Sequence, residues 1–150
     1  MYTLNLPTFD TKIRKKPDGL EIFDPLRRKY VSMTPEEWVR QHFVHYLISE
    51  KGYPASLMAN EAMIRLNSLT KRCDTVVYDN NLQPVVICEF KKPDVKITQQ
   101  VFDQVMRYNI VLKVKYLIVS NGMSHYCCRM NYGEMKFDYL REIPEIIKLH

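Results

Sequence analysis

Glycine is scarce in this 150-residue chain, with four in all, and no Ser/Gly-rich or Gln-rich tract occurs. That excludes a flexible linker or low-complexity segment and leaves one globular domain over 1–150 as the expectation. No apolar run approaches the ~20 residues of a membrane helix. The opening MYTLNLPTFD also has neither the basic start nor the apolar stretch of a signal peptide, so a cytoplasmic protein without a membrane partner is expected. The chain contains no G-x-x-x-x-G-K-[ST] phosphate loop, which excludes ATP-driven translocation by this chain acting alone. No C-x-x-C spacing occurs among Cys73, Cys88, Cys127 and Cys128, and no second ligand pair joins Cys127, Cys128 and His125. Reduced, buried thiols are expected in place of a zinc site or a disulfide framework.

What is present is a core and scattered positive charge. Hydrophobic residues make up 46% of the chain, enough to bury about two-thirds of its unfolded surface. The net charge is +5, with basic clusters at Arg14-Lys15-Lys16, Arg27-Arg28-Lys29, Lys71-Arg72 and Lys91-Lys92. If folding gathers several of these on one face, that face attracts a polyanion; if it does not, they are solvated surface charge.

Residues 20–33 read as a short extended lead-in. TPEEWVRQHFVHYLISEKG then carries strong helix signals: Thr34 suits the N-cap, Pro35 the first helical position, Glu37 the third position of a capping box, and Gly52 the close. Val39, Phe43 and Leu47 recur at helical spacing and predict one apolar stripe. SLMANEAMIRLN reads as a strand. CDTVVYD and PVVICEF, joined by a turn at Asp79-Asn80-Asn81, read as a hairpin that Pro93 ends. ITQQVFDQVMRYNIVL predicts a second helix with Val101, Val105, Tyr108 and Leu112 on one face, and KYLIVSNG a further buried strand. The order αβββαβ predicts an α/β fold: a mixed four-stranded central sheet flanked by helices, with a core over about 34–122, an N-terminal extension and a C-terminal tail.

The hairpin carries charges that folding does not require. Side chains alternate along a strand, so Glu89 and Lys91 share one face of the second strand, and pairing about the turn sets Asp74 of the first strand beside them. Two carboxylates and an ammonium at one end of an apolar sheet suit Mg²⁺ or Mn²⁺, hard cations that accept phosphate oxygens directly. Magnesium-dependent phosphodiester cleavage fits that set. The plainer alternative is a surface salt bridge at the hairpin end, contributing ~0.2 to 1 kcal/mol.

Asp74, followed after fourteen intervening residues by Glu89-Phe90-Lys91, resembles the core of the PD-(D/E)XK nucleases. More closely, SMTPEEWVRQHFVHYLISEKGYP, KRCDTVVYD, VVICEFKKP, VFDQVMRYN and YLIVSNG follow in the order seen in the N-terminal nuclease domain of type I restriction enzyme R subunits. The likeness covers roughly residues 12 to 125. It implies a restriction-endonuclease-like fold and a metal-dependent deoxyribonuclease. Asp74, Glu89 and the Phe90 carbonyl would hold Mg²⁺ or Mn²⁺, Lys91 would be the catalytic lysine, and Gln104 and Tyr108 would match a Gln-x-x-x-Tyr signature on one helix face. Glu36, Glu37 or Glu61 is expected to complete the acidic set, with Glu37 alternatively a capping residue only. Lys71, Arg72, Lys92 and Arg107 are the expected DNA contacts. Position 73 is Cys where the superfamily name has Pro. The implied partners are DNA, a separate motor or specificity subunit, and a second copy of the chain, since cutting both strands with one site per chain makes a dimer useful. The alternative is a non-catalytic DNA-binding or adaptor module of a restriction or repair complex.

Overall fold

A computed structural model describes residues 2–146. Two antiparallel hairpin turns open the chain: β1 (Ile13–Lys16), β2 (Gly19–Asp24) and β3 (Lys29–Ser32) form a small three-stranded sheet, where the sequence predicted only an extended lead-in. Helix α1 (Pro35–Lys51) follows, then β4 (Met58–Leu66), β5 (Leu69–Tyr78), β6 (Pro84–Phe90), α2 (Gln99–Asn109), β7 (Tyr116–Ser120), β8 (His125–Asn131) and β9 (Lys136–Leu140). The mixed α/β class is as expected, but the main sheet has six strands in the order β4-β5-β6-β7-β8-β9, not four. The tail supplies the difference, because β8 and β9 continue the sheet antiparallel beyond β7. Among the described residues only β6 and β7 pair in parallel, joined through the crossover helix α2.

The ends of α1 form as its sequence dictates. Thr34 Oγ1 accepts from the Glu37 N–H at 3.1 Å, Pro35 occupies the first turn, and Gly52 closes the helix in the left-handed region at φ 74°. One half of the capping box is missing, because the Glu37 carboxylate is engaged elsewhere. Val39, Phe43 and Leu47 are fully buried against Val86, Cys88, Phe90 and Ile118 on one face of the sheet. Each contributes about 1.5–3 kcal/mol. Yet Glu37, Arg40, Gln41 and His42 are buried as well, so α1 is enclosed on more than its predicted stripe.

Helix α2 covers the opposite face, packing Phe102 and Val105 on Val76, Ile87, Leu117 and Val119. Its buried positions are Phe102, Val105 and Asn109, whereas Tyr108, predicted on the apolar stripe, is exposed. All four cysteines are free and buried between these layers, as expected. No helix among the described residues is long and apolar enough to cross a membrane.

Candidate active site

The site lies where β5 and β6 part. Their register pairs Thr75 with Cys88, and one step further sets Asp74 opposite Glu89. There the ladder gives way to a side-chain contact: the Phe90 N–H donates to Asp74 Oδ2 at 2.8 Å. The two carboxyl groups meet, and burial together with the negative charge of Asp74 pushes the Glu89 carboxyl up to about 9. Lys91 opposes that shift through its charge, while its N–H donates to the Ser120 carbonyl at 2.9 Å and extends the pairing with β7. Among the described residues no ion pair joins Lys91 to either carboxylate, so the salt-bridge alternative is not what the fold forms.

Glu89 also touches a residue that the sequence reading missed. Asn109, at the end of α2, places its side chain against Glu89, donating from Nδ2 to the Val105 carbonyl at 2.9 Å. Glu89 Oε1 and Asn109 Oδ1 are both buried acceptors without a donor. Folded interiors avoid such pairs, and either a proton on Glu89 or a cation satisfies them. The available signal was a polar residue on the apolar face defined by Phe102 and Val105, four residues after the latter.

On the α1 side, a polar cleft of about 350 Å³ is lined by Arg27, Glu36, Glu37, Arg40, Glu61 and Asp74, among others. Two of its acids, Glu37 and Glu61, are matched by arginines. Glu37 accepts from Arg27 at 2.6 Å, from Arg40 at 2.8 and 3.1 Å, and from Gln41 at 2.9 Å. Burial alone would raise its carboxyl, but the bonds from Arg40, Gln41 and Arg27 outweigh burial and hold it below the usual range. Arg40 also donates to Glu61 Oε1 at 2.7 Å and to the Asp74 carbonyl at 2.6 Å. Glu61 stands in the left-handed region at φ 54°, which costs a non-glycine residue about 1–2 kcal/mol. The kink turns β4 over: Met58 belongs to the core beneath α1 and Ala62 to the core beneath α2. A second chain of bonds anchors the small sheet, since buried Asp24 accepts from Arg27 and from Asn60 Nδ2 at 3.0 Å, and Asn60 Oδ1 accepts from Thr75 at 2.7 Å.

The fold therefore brings together Asp74, Glu89, the Phe90 backbone and, through its charge, Lys91. The candidate third acids line the same cleft as Asp74, with Glu37 and Glu61 ion-paired to Arg40 and Glu36 exposed on the cleft wall. Among the described residues no group of three or more His, Cys, Asp or Glu side chains is placed to hold a metal ion. Gln104 and Tyr108 are exposed on α2, and Lys71 lies over the Tyr108 ring at 3.6 Å. Arg72, Lys92 and Arg107 are exposed, with Arg72 3.9 Å from Glu61. A larger cleft of about 400 Å³, bordered by Phe102, Tyr126 and Tyr139, carries no charged side chain and lies apart from these groups.

The type I restriction enzyme R protein N terminus family matches residues 35–144. The chain belongs to that family. The matched span contains Asp74, Glu89, Lys91 and Asn109. No curated protein matches it. Among solved structures, a fragment described as an HsdR subunit of a type I restriction enzyme from Vibrio vulnificus YJ016 is 18% identical with a TM-score of 0.53, covering 78% of this chain and 25% of that one. A cryo-electron microscopy structure of a DrdV–DNA complex is 17% identical with a TM-score of 0.44, covering 77% of this chain and 11% of that one. The chain thus spans about a quarter of the HsdR fragment, with which it shares the fold.

Proposed function

We propose that this chain is a metal-dependent deoxyribonuclease domain of the PD-(D/E)XK type, with a restriction-endonuclease-like arrangement of its sheet. The observation that carries the reading is the pair of touching carboxyl groups, Asp74 and Glu89, with a buried Glu89 oxygen that has no donor. Asp74, Glu89 and the Phe90 carbonyl are the groups that would hold Mg²⁺ or Mn²⁺. A bound divalent cation supplies electrostatic stabilisation of the charge that develops on a phosphodiester under attack.

The chain's own groups do the rest. Phe90 orients the Asp74 carboxylate through its N–H, and Asp74 shares a side-chain hydrogen bond with Glu89. Lys91, next along the strand, orients the attacking water, helps to remove its proton and offsets negative charge. Arg40 keeps Glu37 and Glu61 in place and leaves the Asp74–Glu89 pair as the cation's carboxylates. Lys71, Arg72, Lys92 and Arg107 contact the DNA backbone, giving mostly sequence-independent attachment. A motor or specificity subunit, and a second copy for cutting both strands, are the partners proposed with this activity.

The test is cleavage of supercoiled, linear and single-stranded DNA with Mg²⁺ or Mn²⁺, comparing wild type with Asp74→Ala and Lys91→Ala. Metal-dependent nicking that both variants lose is the expected result. A Lys91→Ala protein as active as wild type overturns the catalytic assignment, and DNA binding without cleavage points to the adaptor role.

A further inference from the structure

Residues 62–73 form a two-stranded ribbon that leaves the main sheet. Pairing between β4 and β5 continues from Ala62 with Cys73 to Leu66 with Leu69, whereas β6 pairs with β5 only from Thr75 to Tyr78. Its five residue pairs span four steps of ~3.4 Å, so the ribbon is about 14 Å long from the Ala62–Cys73 pair to the Leu66–Leu69 pair. Asn67 takes the left-handed region at φ 56° to make the turn, a conformation that Asn tolerates better than most side chains.

The two faces of the ribbon differ. One carries Ala62 and Cys73, both buried, then Ile64 and Lys71 half-buried, where Lys71 rests on the Tyr108 ring at the end of α2. At the tip this face becomes Leu66 and Leu69, which meet across the turn and are exposed by 42% and 40%. The other face pairs Met63 with Arg72 and Arg65 with Thr70, all exposed. Residues 62–73 contain Arg65, Lys71 and Arg72 and no acidic residue. Helix α2 contacts the base through Tyr108 and Lys71, and the ribbon extends as an arm beyond Asp74.

We propose that this ribbon enters a groove of duplex DNA and presents the helical backbone to the Asp74–Glu89 site. The inference rests on DNA being the substrate and specifies its form as double-stranded. A two-stranded ribbon fits the major groove, which is about 12 Å wide and about 8.5 Å deep, so the arm is long enough to reach the floor. Its uniformly positive charge suits the phosphates that line the walls. Leu66 and Leu69 supply apolar contact to base edges, where a charged tip would be poorly matched.

Binding without cleavage tests the arm separately from the chemistry. The probes are a fluorescein-labelled oligonucleotide duplex and its labelled single strand, titrated in EDTA while anisotropy is read. One variant replaces residues 65–70 by Asn-Gly; the second, Arg65→Gln with Arg72→Gln, changes only exposed positions and does not depend on refolding the hairpin. The shortened arm is expected to lose about tenfold or more in duplex affinity with a smaller loss on the single strand. The double variant is expected to lower the slope of log affinity against log salt by about 2, close to 0.9 for each phosphate contact removed. Duplex binding unchanged in both variants, equal losses on duplex and single strand, or no duplex binding by wild type each overturns the proposal. Asp74→Ala separates the two readings, because it removes cleavage and leaves the arm intact. Arm-dependent duplex binding by a wild type that does not cut sinks the nuclease reading alone, and cutting that ignores the arm sinks the arm alone.

Discussion

Replacing Glu89 by Gln removes the proton on which the metal-free site depends. In the folded protein this carboxyl is pushed up to about 9 from an ordinary 4.5, by burial and by the negative charge of Asp74 against it. Below pH 4.5 both folded and unfolded chains hold the proton, and Glu89 makes no difference. Between 4.5 and 9 the unfolded chain releases it while the folded chain keeps it, so the unfolded state gains stability as pH rises. One proton corresponds to about 1.4 kcal/mol per pH unit, or about 3 kcal/mol between pH 6 and pH 8. The amide introduced by Glu89→Gln carries no such proton but keeps the shape and offers an N–H to the Asn109 oxygen. Urea denaturation in EDTA at pH 6, 7 and 8 should show wild type losing stability across the series relative to Glu89→Gln, with the gap closing towards pH 5. Parallel profiles for the two proteins would falsify the claim that Glu89 is buried as an acid.

Cation binding must displace the same proton, so Mg²⁺ or Mn²⁺ uptake at pH 7 should release about one proton, with affinity rising about tenfold per pH unit between 6 and 8. Calorimetry in buffers of different ionisation heat reads this directly, and heats independent of buffer contradict it. Arg40→Ala leaves Glu37 buried without its main partner and frees Glu61 and the Asp74 carbonyl. A loss of about 3–5 kcal/mol in denaturant unfolding is expected, and less than about 1 kcal/mol would show that the network is not structural. Gly122→Ala should cost about 1–3 kcal/mol. Gly122 has φ 85°, and an added Cβ would lie 2.7 Å from Leu4 Cδ2 and 3.2 Å from Val39 Cγ2, so thermal unfolding unchanged from wild type would mean that the N-terminal segment yields freely.

Local chemistry alone determined the caps of α1, the β5–β6 hairpin and the parallel return of β7, because capping side chains, strand alternation and a crossover helix act over a few residues. It also indicated that the start of β5 lies beside the end of β6, while the register that sets Asp74 opposite Glu89 depends on a shift between Val77 and Tyr78 that strand alternation does not reveal. Family membership was legible too, in blocks that keep their order along the chain. The sequence could not determine which acids stay available. Glu37 reads as a capping residue or a ligand until Arg27 and Arg40 approach it, and Glu61 until Arg40 approaches from 21 residues away. Those contacts depend on how α1, β4 and the small β1–β3 sheet pack, and an ion pair leaves no periodic trace. Tertiary structure also decided the face of α2, moving Tyr108 outward and Asn109 inward against Glu89, and it added β8 and β9 to an edge that the tail's mixed signals left open. The proton on Glu89 belongs to that second group most clearly: its affinity is set by desolvation and by a neighbouring charge, and both exist only once the sheet is covered.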